Sequence, residues 1–282
     1  MRHPELTATV HALRGRIGTW RREGARIGLV PTMGALHAGH LSLVRLAKSR
    51  AERVVVTIFV NPAQFAPHED FDRYPRRLDE DLEKLAATGA TDLVFVPPTG
   101  EIYPEGFATR IEVDGPAQGL ETVFRPHFFS GVATVVAKLL IAAAPDVAVF
   151  GEKDYQQLLV IRRIVEDLGL DTEIAGAPIK READGLAMSS RNAYLDPKER
   201  EIAGSLNRIL SDVAASARAG TSIPEAEDAG AAALRDAGFD TVDYVAIRNG
   251  STLARLVHPG EDARILAAAW IGKTRLIDNM PV

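Results

Sequence analysis

The feature that most constrains the fold of this chain is a series of short, nearly continuous apolar runs in its first half. They are Ile27 to Val30, Val54 to Val60, Leu93 to Val96 and Val147 to Phe150. A strand that is apolar along its whole length, rather than at alternate positions, is typical of a parallel sheet that is buried on both faces. The runs therefore predict the strands of such a sheet.

Helical patterns lie between these strands, at Leu41 to Arg50, Arg76 to Thr88 and Val132 to Ala143. Strands that alternate with helices indicate a doubly wound α/β domain. Ligands of such a domain bind outside the carboxyl ends of the strands. We therefore expect functional residues directly after the strands.

The second part of the chain has a different pattern. A polar loop, KREADGLAMSSRNAYLD, follows Pro178, and a long amphipathic helix begins at Asp196 and Pro197. The apolar positions of this helix are Ile202, Leu206, Ile209, Leu210 and Val213. A further helix and two strands are predicted at Glu225 to Ala237, Val242 to Ile247 and Ile265 to Ile271. We predict an α/β domain over 1–180 and a smaller α+β domain over 181–282.

Composition excludes several classes of protein. A net charge of -5 and a pI near 5.8 argue against a general nucleic-acid binder, which usually has a basic face. The absence of cysteine excludes disulfides and a thioester carried on this chain. The first residues lack the apolar core of a signal peptide, and the longest apolar stretch, Gly131 to Ala144, is too short to span a bilayer. We expect a cytoplasmic protein without a membrane partner.

The segment LVPTMGALHAGHLSLV is the strongest functional signal. It reads as a strand ending at Pro31, a turn at Gly34, and a helix opened by His37 and His40. Histidines three residues apart lie near one face of a helix, and a helix N-terminus attracts phosphate. The pair could stabilise the charge that develops as pyrophosphate leaves. The alternative is a pair of metal ligands or of helix-capping histidines.

The segment VAVFGEKDYQQL is again a strand, a turn and a helix. Lys153 would lie at the carboxyl edge of the sheet, where it could neutralise an α-phosphate. A lysine between two acids is usually a solvated turn. Its expected place at the same sheet edge as the histidines favours the functional interpretation.

The AMSSRN loop offers two hydroxyls and a guanidinium group to phosphate oxygens, from Ser189, Ser190 and Arg191. Such a loop could also be a simple connection between domains. Because it lies near the predicted boundary, it could instead act as a lid over a nucleotide.

The segment TIFVNPAQFAPHEDFDRYPRRLDEDL places Asn61 and Gln64 just after a strand. Their neutral amides could bind a carboxylate or a hydroxyl. The acidic run Asp79, Glu80, Asp81 could hold Mg²⁺, and Asp81 is the candidate ligand. A solvated helix face is the alternative for most of this run.

In the same order and over nearly the whole chain, PTMGALHAGH, FVNPAQF, GVATVVAKLL, FGEKDYQQL, DGLAMSSRN and GKTRLIDN resemble the pantothenate synthetase family. HAGH and MSSR are similar to the HIGH-like and KMSKS-like segments of its adenylyl-transferring superfamily. The resemblance implies a larger Rossmann-like domain, a smaller carboxyl-terminal lid, a homodimer and dependence on Mg²⁺. It also implies that ATP activates pantoate as an adenylate, which the amine of β-alanine then attacks.

The resemblance further assigns site residues. His40 would be the catalytic proton donor, with His37 beside it and with Lys153 and Arg191 on the phosphates. Gln64 and Gln157 would hold pantoate, with Gln64 also near β-alanine and Asn61 supporting that pocket. The ATP site would comprise Met33, Gly34, Ala35, Leu36, His37, Ala38, Gly39, His40, Gly151, Glu152, Lys153, Asp154, Lys180, Met188, Ser189, Ser190 and Arg191.

One position departs from the family's pattern. The family usually reads RPxHFxGV, whereas this chain reads RPHFFSGV, so that Phe128 stands where a histidine is expected. Either His127 takes over the missing contact through a local backbone adjustment, or the contact is lost.

Two other functions use similar segments. A nucleotidyltransferase that stops at an adenylated product would also need HAGH and MSSR, but it would not require an amine acceptor. A regulatory nucleotide-binding protein without turnover should have damaged phosphate-binding residues, whereas His37, His40, Lys153 and Arg191 are all present.

Overall fold

The structure, a computed structural model, describes residues 3–66, 69–260 and 262–282. Its larger sheet has six strands, all parallel, in the order β1-β4-β3-β2-β5-β6. The strands are β1 (Glu5–Thr7), β2 (Ile27–Thr32), β3 (Arg53–Ile58), β4 (Leu93–Phe95), β5 (Val147–Gly151) and β6 (Glu173–Ala177). The predicted strands are β2 to β5, the central four, so the prediction of a doubly wound sheet is confirmed.

Alternate side chains of the central strands point to opposite faces of the sheet, and both faces are covered. One face packs against α1 (Val10–Arg22), α6 (Phe128–Ala143) and α7 (Tyr155–Asp167) through Leu29, Val55, Phe95 and Ala148. The other packs against α2 (Ala38–Lys48) and α3 (Leu78–Thr88) through Val30, Val56, Val94 and Val149. Burial on both faces explains why these strands are apolar along their whole length.

Three of these helices were predicted, with boundaries that differ by a few residues. α2 begins at Ala38 rather than Leu41 because His37 caps it, and α6 begins at Phe128, four residues before the predicted start. The short helices α4 (Thr99–Ile102) and α5 (Glu121–Phe124) lie in the connection between β4 and α6. The strand order reverses between β2 and β5, and this switch point is where a doubly wound sheet leaves a crevice for ligands.

The smaller sheet is antiparallel, in the order β7-β8-β9. Its strands are β7 (Thr241–Asn249), β8 (Ala263–Ile271) and β9 (Thr274–Pro281), and its helices are α8 (Pro197–Ala203), α9 (Ser205–Arg218) and α10 (Ile223–Asp236). The single long helix expected after Asp196 is wrong, because the chain breaks it at Gly204. A Cβ atom there would lie 2.5 Å from Asp184 Oδ2, so the absence of a side chain at Gly204 lets the backbone pass close to that carboxylate.

The domain boundary near residue 180 stays a prediction. It falls in the connection that follows β6, which ends at Ala177. Among the described residues, each helix is too short or too polar to cross a bilayer.

Candidate active site

A cavity of about 470 Å³ opens at the carboxyl ends of β2 and β5. The smaller sheet and the loop around Ser190 form its other walls. The sequence-predicted residues that line it are Met33, His37, Gly39, His40, Asn61, Gln64, Gly151, Lys153, Asp154, Gln157, Lys180, Met188, Ser189, Ser190 and Arg191. The structure thus brings together side chains from all four predicted segments.

Six predicted residues do not line this cavity: Gly34, Ala35, Leu36, Ala38, Asp81 and Glu152. Leu36 is buried in the core on the α2 side of the sheet. Glu152 lies 3.4 Å from the guanidinium of Arg264. These residues shape the loops of the site without lining its cavity.

The two histidines cap α2 and also face the cavity. Nδ1 of His37 accepts a hydrogen bond from the backbone N–H of Gly39 at 3.2 Å, and Nδ1 of His40 accepts one from the N–H of His37 at 3.4 Å. Because each Nδ1 is an acceptor, each ring carries its proton on Nε2 when it is neutral. The ring centroids are 4.0 Å apart, so the two rings form one surface. The capping alternative and the functional interpretation are therefore compatible.

Burial keeps both rings neutral. Desolvation, followed by the ammonium of Lys153, lowers the pKa of His37 to about 4. Desolvation, followed by the charge of His37, lowers the pKa of His40 to about 3. At neutral pH the rings are thus N–H donors without a formal charge. Such donors can stabilise an anion that develops during a reaction.

The turn before the histidines is held by Asp81. Gly34 and Ala35 both have positive φ angles, of 84° and 50°. The two carboxylate oxygens of Asp81 accept hydrogen bonds from the N–H groups of Ala35 at 2.8 Å and Leu36 at 2.7 Å. These bonds hold Ala35 in a conformation that residues other than glycine rarely adopt.

Asp81 does not fit the predicted role of a magnesium ligand. Its side chain is buried, both oxygens are already acceptors of backbone N–H groups, and its pKa is raised, chiefly by desolvation. Within 3–66, 69–260 and 262–282, the acidic and histidine side chains form no group of three that could hold a metal ion. Asp79, Glu80 and Asp81 lie in the first turn of α3, and the carboxylate of Asp81 points to the backbone of Ala35 and Leu36.

Lys153 lies in a 3₁₀ turn, Glu152–Asp154, directly after β5. Its side chain is one-fifth exposed, at 20%, and Nζ is 4.0 Å from Asp154 Oδ1. Because Lys153 also lowers the pKa of His37, the ammonium and the imidazole belong to one electrostatic environment. The sequence prediction of a lysine at the same sheet edge as the histidines is confirmed.

The MSSR loop closes over the histidine turn. Ser189 caps the 3₁₀ helix Ser190–Tyr194 through a bond from Arg191 N, and Ser190 Oγ donates to the carbonyl of Ala35 at 3.1 Å. Arg191 makes a bidentate ion pair with Asp70, at 3.0 and 2.9 Å. The guanidinium opposes the desolvation of Asp70 and lowers the pKa of that carboxyl. Arg191 therefore has a protein partner in this conformation.

The amide residues form a connected group. Asn61 Nδ2 donates to Gln64 Oε1 at 3.0 Å and to the carbonyl of Gly131 at 3.1 Å, while the hydroxyl of Tyr103 donates to Asn61 Oδ1 at 2.7 Å. Gln64 Nε2 lies 3.2 Å from the sulfur of Met33. Asn61 has its amide fully engaged, so it orients Gln64, which faces the cavity.

The two adjacent glutamines of FGEKDYQQL have different roles. Gln156 is buried, accepts from Glu121 N and donates to the carbonyls of Pro116 and Gly119. Gln157 lies on the cavity side of α7, and its side-chain amide makes no hydrogen bond to the other described residues. Its position fits the predicted role in holding a substrate.

Phe128 occupies the cavity wall at the position where the sequence departs from the pattern. The guanidinium carbon of Arg125 lies 3.8 Å from the centre of the Phe128 ring, in a cation–π contact. Arg125 is held in turn by Glu69, at 2.7 and 2.6 Å. His127 is exposed and is not part of the cavity lining. Substitution of the missing histidine by His127 therefore does not fit the structure.

Several residues of the site were missed by sequence reasoning. Tyr103, Asp70, Glu69 and the polar residues of β9 each act through contacts with residues far away in the sequence. For β9 the segment GKTRLIDN contains a signal, because polar and charged residues interrupt an otherwise apolar strand pattern. The others have no local pattern that distinguishes them from solvated loop residues.

Comparison with known proteins gives a consistent result. The family model described as Pantoate-beta-alanine ligase matches residues 5–281. The pantothenate synthetase of Mesorhizobium japonicum is 58% identical over 282 residues, which are 100% of this chain and 99% of that protein. The pantothenate synthetase of Caulobacter vibrioides is 55% identical over 286 residues and covers 100% of both chains.

Solved structures agree with the sequence relatives. The crystal structure of pantothenate synthetase from Thermus thermophilus has a TM-score of 0.92 and 47% identity, with 98% of this chain and 99% of that chain covered. Pantoate-beta-alanine ligase from Francisella tularensis, crystallised with beta-gamma ATP and beta-alanine, has a TM-score of 0.84 and 35% identity over 99% and 97% of the two chains. Sequence, fold and cavity thus agree, and the chain belongs to the pantoate–β-alanine ligase family.

Proposed function

We propose that this chain joins pantoate to β-alanine in two steps in one cavity, through a pantoyl adenylate. In the first step a carboxylate oxygen of pantoate attacks the α-phosphorus of ATP, and pyrophosphate leaves. In the second step the amine of β-alanine attacks the acyl carbon, loses a proton, and AMP leaves. The single observation that carries this proposal is the pair of neutral histidines beside Lys153 at the switch point of the sheet.

The histidines and Lys153 would act on the phosphates. Each imidazole offers an Nε2–H, and Lys153 offers a positive charge. Charge builds up on the phosphate oxygens as the bond to pyrophosphate breaks, so these groups stabilise the transition state more than the ground state. Since a neutral imidazole is a weak acid, we assign His40 the role of hydrogen-bond donor. It would transfer a proton only when nucleotide is bound.

The acyl side of the cavity would hold the two smaller substrates. Gln64 and Gln157 would bind pantoate through amide hydrogen bonds, with β-alanine next to Gln64. An acyl adenylate hydrolyses readily, so the site must exclude water. The MSSR loop, already attached to Ala35 through Ser190, would supply that cover, and Arg191 would exchange Asp70 for phosphate oxygens as it closes.

Magnesium enters this proposal only with the nucleotide. The carboxylate of Asp81 does not fit as its ligand, because both oxygens are engaged by backbone N–H groups, and Mg²⁺ commonly binds through phosphates and waters with few protein ligands. Neither step of the reaction is assigned to a protein-bound metal.

The resemblance also supports a homodimer in the cytoplasm. Light scattering would test the oligomeric state, and cell fractionation would test the location.

Isotope exchange tests the reaction. With ATP and pantoate alone, labelled pyrophosphate should exchange into ATP, and β-alanine should be needed only for net product. The nucleotide product should be AMP. Formation of ADP and inorganic phosphate would contradict the adenylate. An adenylated end product that β-alanine does not consume would favour a nucleotidyltransferase.

The site residues are tested separately from folding. His40→Ala and Lys153→Ala should each lower the exchange rate by roughly a hundredfold or more, because each removes a contact to the developing charge. Thermal stability should change little for Lys153→Ala, whose side chain is partly exposed. A normal exchange rate in either variant would remove that residue from the catalytic group.

A further inference from the structure

The last strand carries buried polar residues that sequence reasoning did not use. Asp278 and Asn279 are both 2% exposed, although they are adjacent in β9. Adjacent residues of a strand point to opposite faces. Asp278 pairs with Arg181 at 2.7 and 2.9 Å, whereas Asn279 points to the larger sheet. Two buried polar groups in one strand need partners on both sides, and here both have them.

Asn279 contacts the turn that carries Lys153. Its Nδ2 donates to the carbonyl of Glu152 at 2.9 Å and to the carbonyl of Lys153 at 2.9 Å. Its Oδ1 accepts from Arg264 Nε at 2.7 Å. Both polar atoms of the amide are thus engaged. Its oxygen is bound by Arg264 of β8, and its nitrogen is bound to two successive carbonyls of the turn.

Arg264 keeps Asn279 in this orientation. Its guanidinium carbon lies 3.7 Å from the centre of the Tyr155 ring, and its Nη2 lies 3.4 Å from Glu152 Oε2. Tyr155 is the first residue of α7, and its hydroxyl donates to the carbonyl of Gly250 at 2.8 Å. The smaller sheet therefore holds the chain on both sides of Lys153.

The turn lacks internal support of this kind. Within the described structure, the residue before the 3₁₀ turn is Gly151, which has no side chain to cap it, and the side chain of Asp154 before α7 makes no capping bond. Two carbonyls fixed by one amide determine the orientation of the peptide planes on both sides of the Lys153 Cα atom. They thereby determine the direction in which the Lys153 side chain leaves the backbone.

We propose that Asn279 is the positioning residue for Lys153. It aims the ammonium at the phosphates by holding the carbonyls of Glu152 and Lys153. The proposal rests on the proposed function, in which Lys153 acts on the phosphates. Asn279 lines the cavity, but its amide oxygen is engaged by Arg264 and its amide nitrogen by the two carbonyls of the turn. Its effect on the rate therefore passes through Lys153.

A double-mutant cycle on pyrophosphate exchange tests this dependence. We expect Lys153→Ala to slow exchange about a hundredfold and Asn279→Ala to slow it about tenfold. If Asn279 acts only through Lys153, the double variant should be no slower than Lys153→Ala alone. An additive loss of about a thousandfold in the double variant, or a wild-type rate for Asn279→Ala, would overturn the proposal.

The cycle separates this inference from the proposed function. A wild-type rate for Lys153→Ala would contradict the role of the lysine itself. If Asn279→Ala does not fold, Asn279→Asp serves in its place. Aspartate can still accept from Arg264 but cannot donate to the two carbonyls, so exchange should be slowed about as much as by alanine.

Glu227→Ala is the matched control for loosening of the smaller sheet. Glu227 accepts from Ile247 N at 2.7 Å and from Arg248 at 2.6 Å, and it does not line the cavity. Loss of the Glu227 carboxylate should lower stability. The exchange rate should stay within about twofold of wild type, because the bonds of Glu227 to β7 do not hold Lys153. An exchange rate as low as that of Asn279→Ala would overturn the proposal by showing a general effect.

Discussion

Two histidines combine a structural and a chemical role in the same ring. Nδ1 of each ring caps α2, which leaves the Nε2–H of each ring for the cavity. The structural bond therefore sets the tautomer that the chemistry uses. Burial contributes in the same direction, since it disfavours the charged form and preserves the Nδ1 acceptor.

This arrangement predicts a pH-dependent stability. The native pKa values of about 4 for His37 and about 3 for His40 lie below the ordinary value of 6.5. Below pH 6.5 the unfolded chain takes up protons that the folded chain does not. As the pH is lowered below 6.5, the free energy of unfolding should therefore decrease. The decrease is about 1.4 kcal/mol per pH unit for each histidine, until the pH reaches the native pKa of that histidine.

Urea denaturation between pH 7.5 and pH 4.5 measures this dependence. His40→Asn keeps an acceptor for the cap but does not titrate, so its stability should depend less steeply on pH. His11→Asn, at an exposed position of α1, is the control and should behave like wild type. Equal pH dependence in wild type and His40→Asn would refute the assigned burial of the neutral ring.

The aromatic wall gives a second prediction at this scale. His127→Ala should leave the apparent KM values for pantoate and β-alanine within about twofold of wild type, because His127 is exposed and outside the cavity. Phe128→Ala should raise them and cost about 3 kcal/mol of stability, since it removes the buried ring under Arg125 and beside Phe129. Steady-state kinetics and thermal melts measure both. A tenfold rise in KM for His127→Ala would restore the compensation hypothesis.

At the level of elements, one close approach fixes the amide pocket. α6 crosses the 3₁₀ turn Pro62–Gln64 at Gly131, where an added Cβ would lie 2.2 Å from the carbonyl oxygen of Ala63. Only glycine fits at that distance, because the neighbouring atoms are backbone. The same approach allows Asn61 to donate to the carbonyl of Gly131.

Gly131→Ala should therefore separate α6 from the turn. We expect a loss of about 2 kcal/mol or more in stability and a higher KM for pantoate, because Asn61 and Gln64 move with the turn. Gly15→Ala is the control: it lies inside α1 with open space around it, so it should raise stability by about 0.5–1 kcal/mol. A Gly131→Ala variant as stable as wild type would show that this contact is easily relaxed.

The elements also show what could be predicted from the sequence. The central strands and the histidine and lysine turns follow from local patterns, because continuous burial and strand-end position leave a mark in the residues themselves. β1 and β6 are short and partly exposed edge strands, so they carry no such run. β9 was missed because Asp278 and Asn279 interrupt its apolar pattern, and only the tertiary structure supplies their partners. The role of Asp81 also depends on partners distant in sequence, Ala35 and Leu36, so the acidic run alone predicts a magnesium ligand and not a structural carboxylate.

At the scale of the whole molecule, a buried charge network joins the smaller sheet to α5, in the connection between β4 and α6. Arg275 on β9 donates to Glu121 on α5 at 2.7 Å and to Asp243 on β7 at 2.7 Å, and Tyr244 donates to Glu121 at 2.7 Å. Burial opposes the charge on Arg275, but these carboxylates outweigh it and raise its pKa. The network lines the cavity and also connects the smaller sheet to α5.

Arg275→Met should destabilise the protein by about 3 kcal/mol, because the buried carboxylate of Glu121 then keeps the hydroxyl of Tyr244 but loses its near cation, with Arg125 at the longer distance of 3.9 Å. Adding Glu121→Gln should recover part of the loss, since the uncompensated charge is removed. Urea denaturation of the two single variants and the double variant measures this coupling. Additive losses would show that the two side chains stabilise the fold independently.

The bonds that close the cavity also have a consequence for the order of folding events. Ser190 and Ala35 are 155 residues apart in sequence, Arg275 and Glu121 are 154 apart, and Asn279 and Lys153 are 126 apart. Contacts of such separation form slowly, because the entropy of closing the chain is lost before the contacts form. We therefore expect refolding chains to regain their helices and the smaller sheet first, and to acquire the ability to bind nucleotide in a later and slower phase.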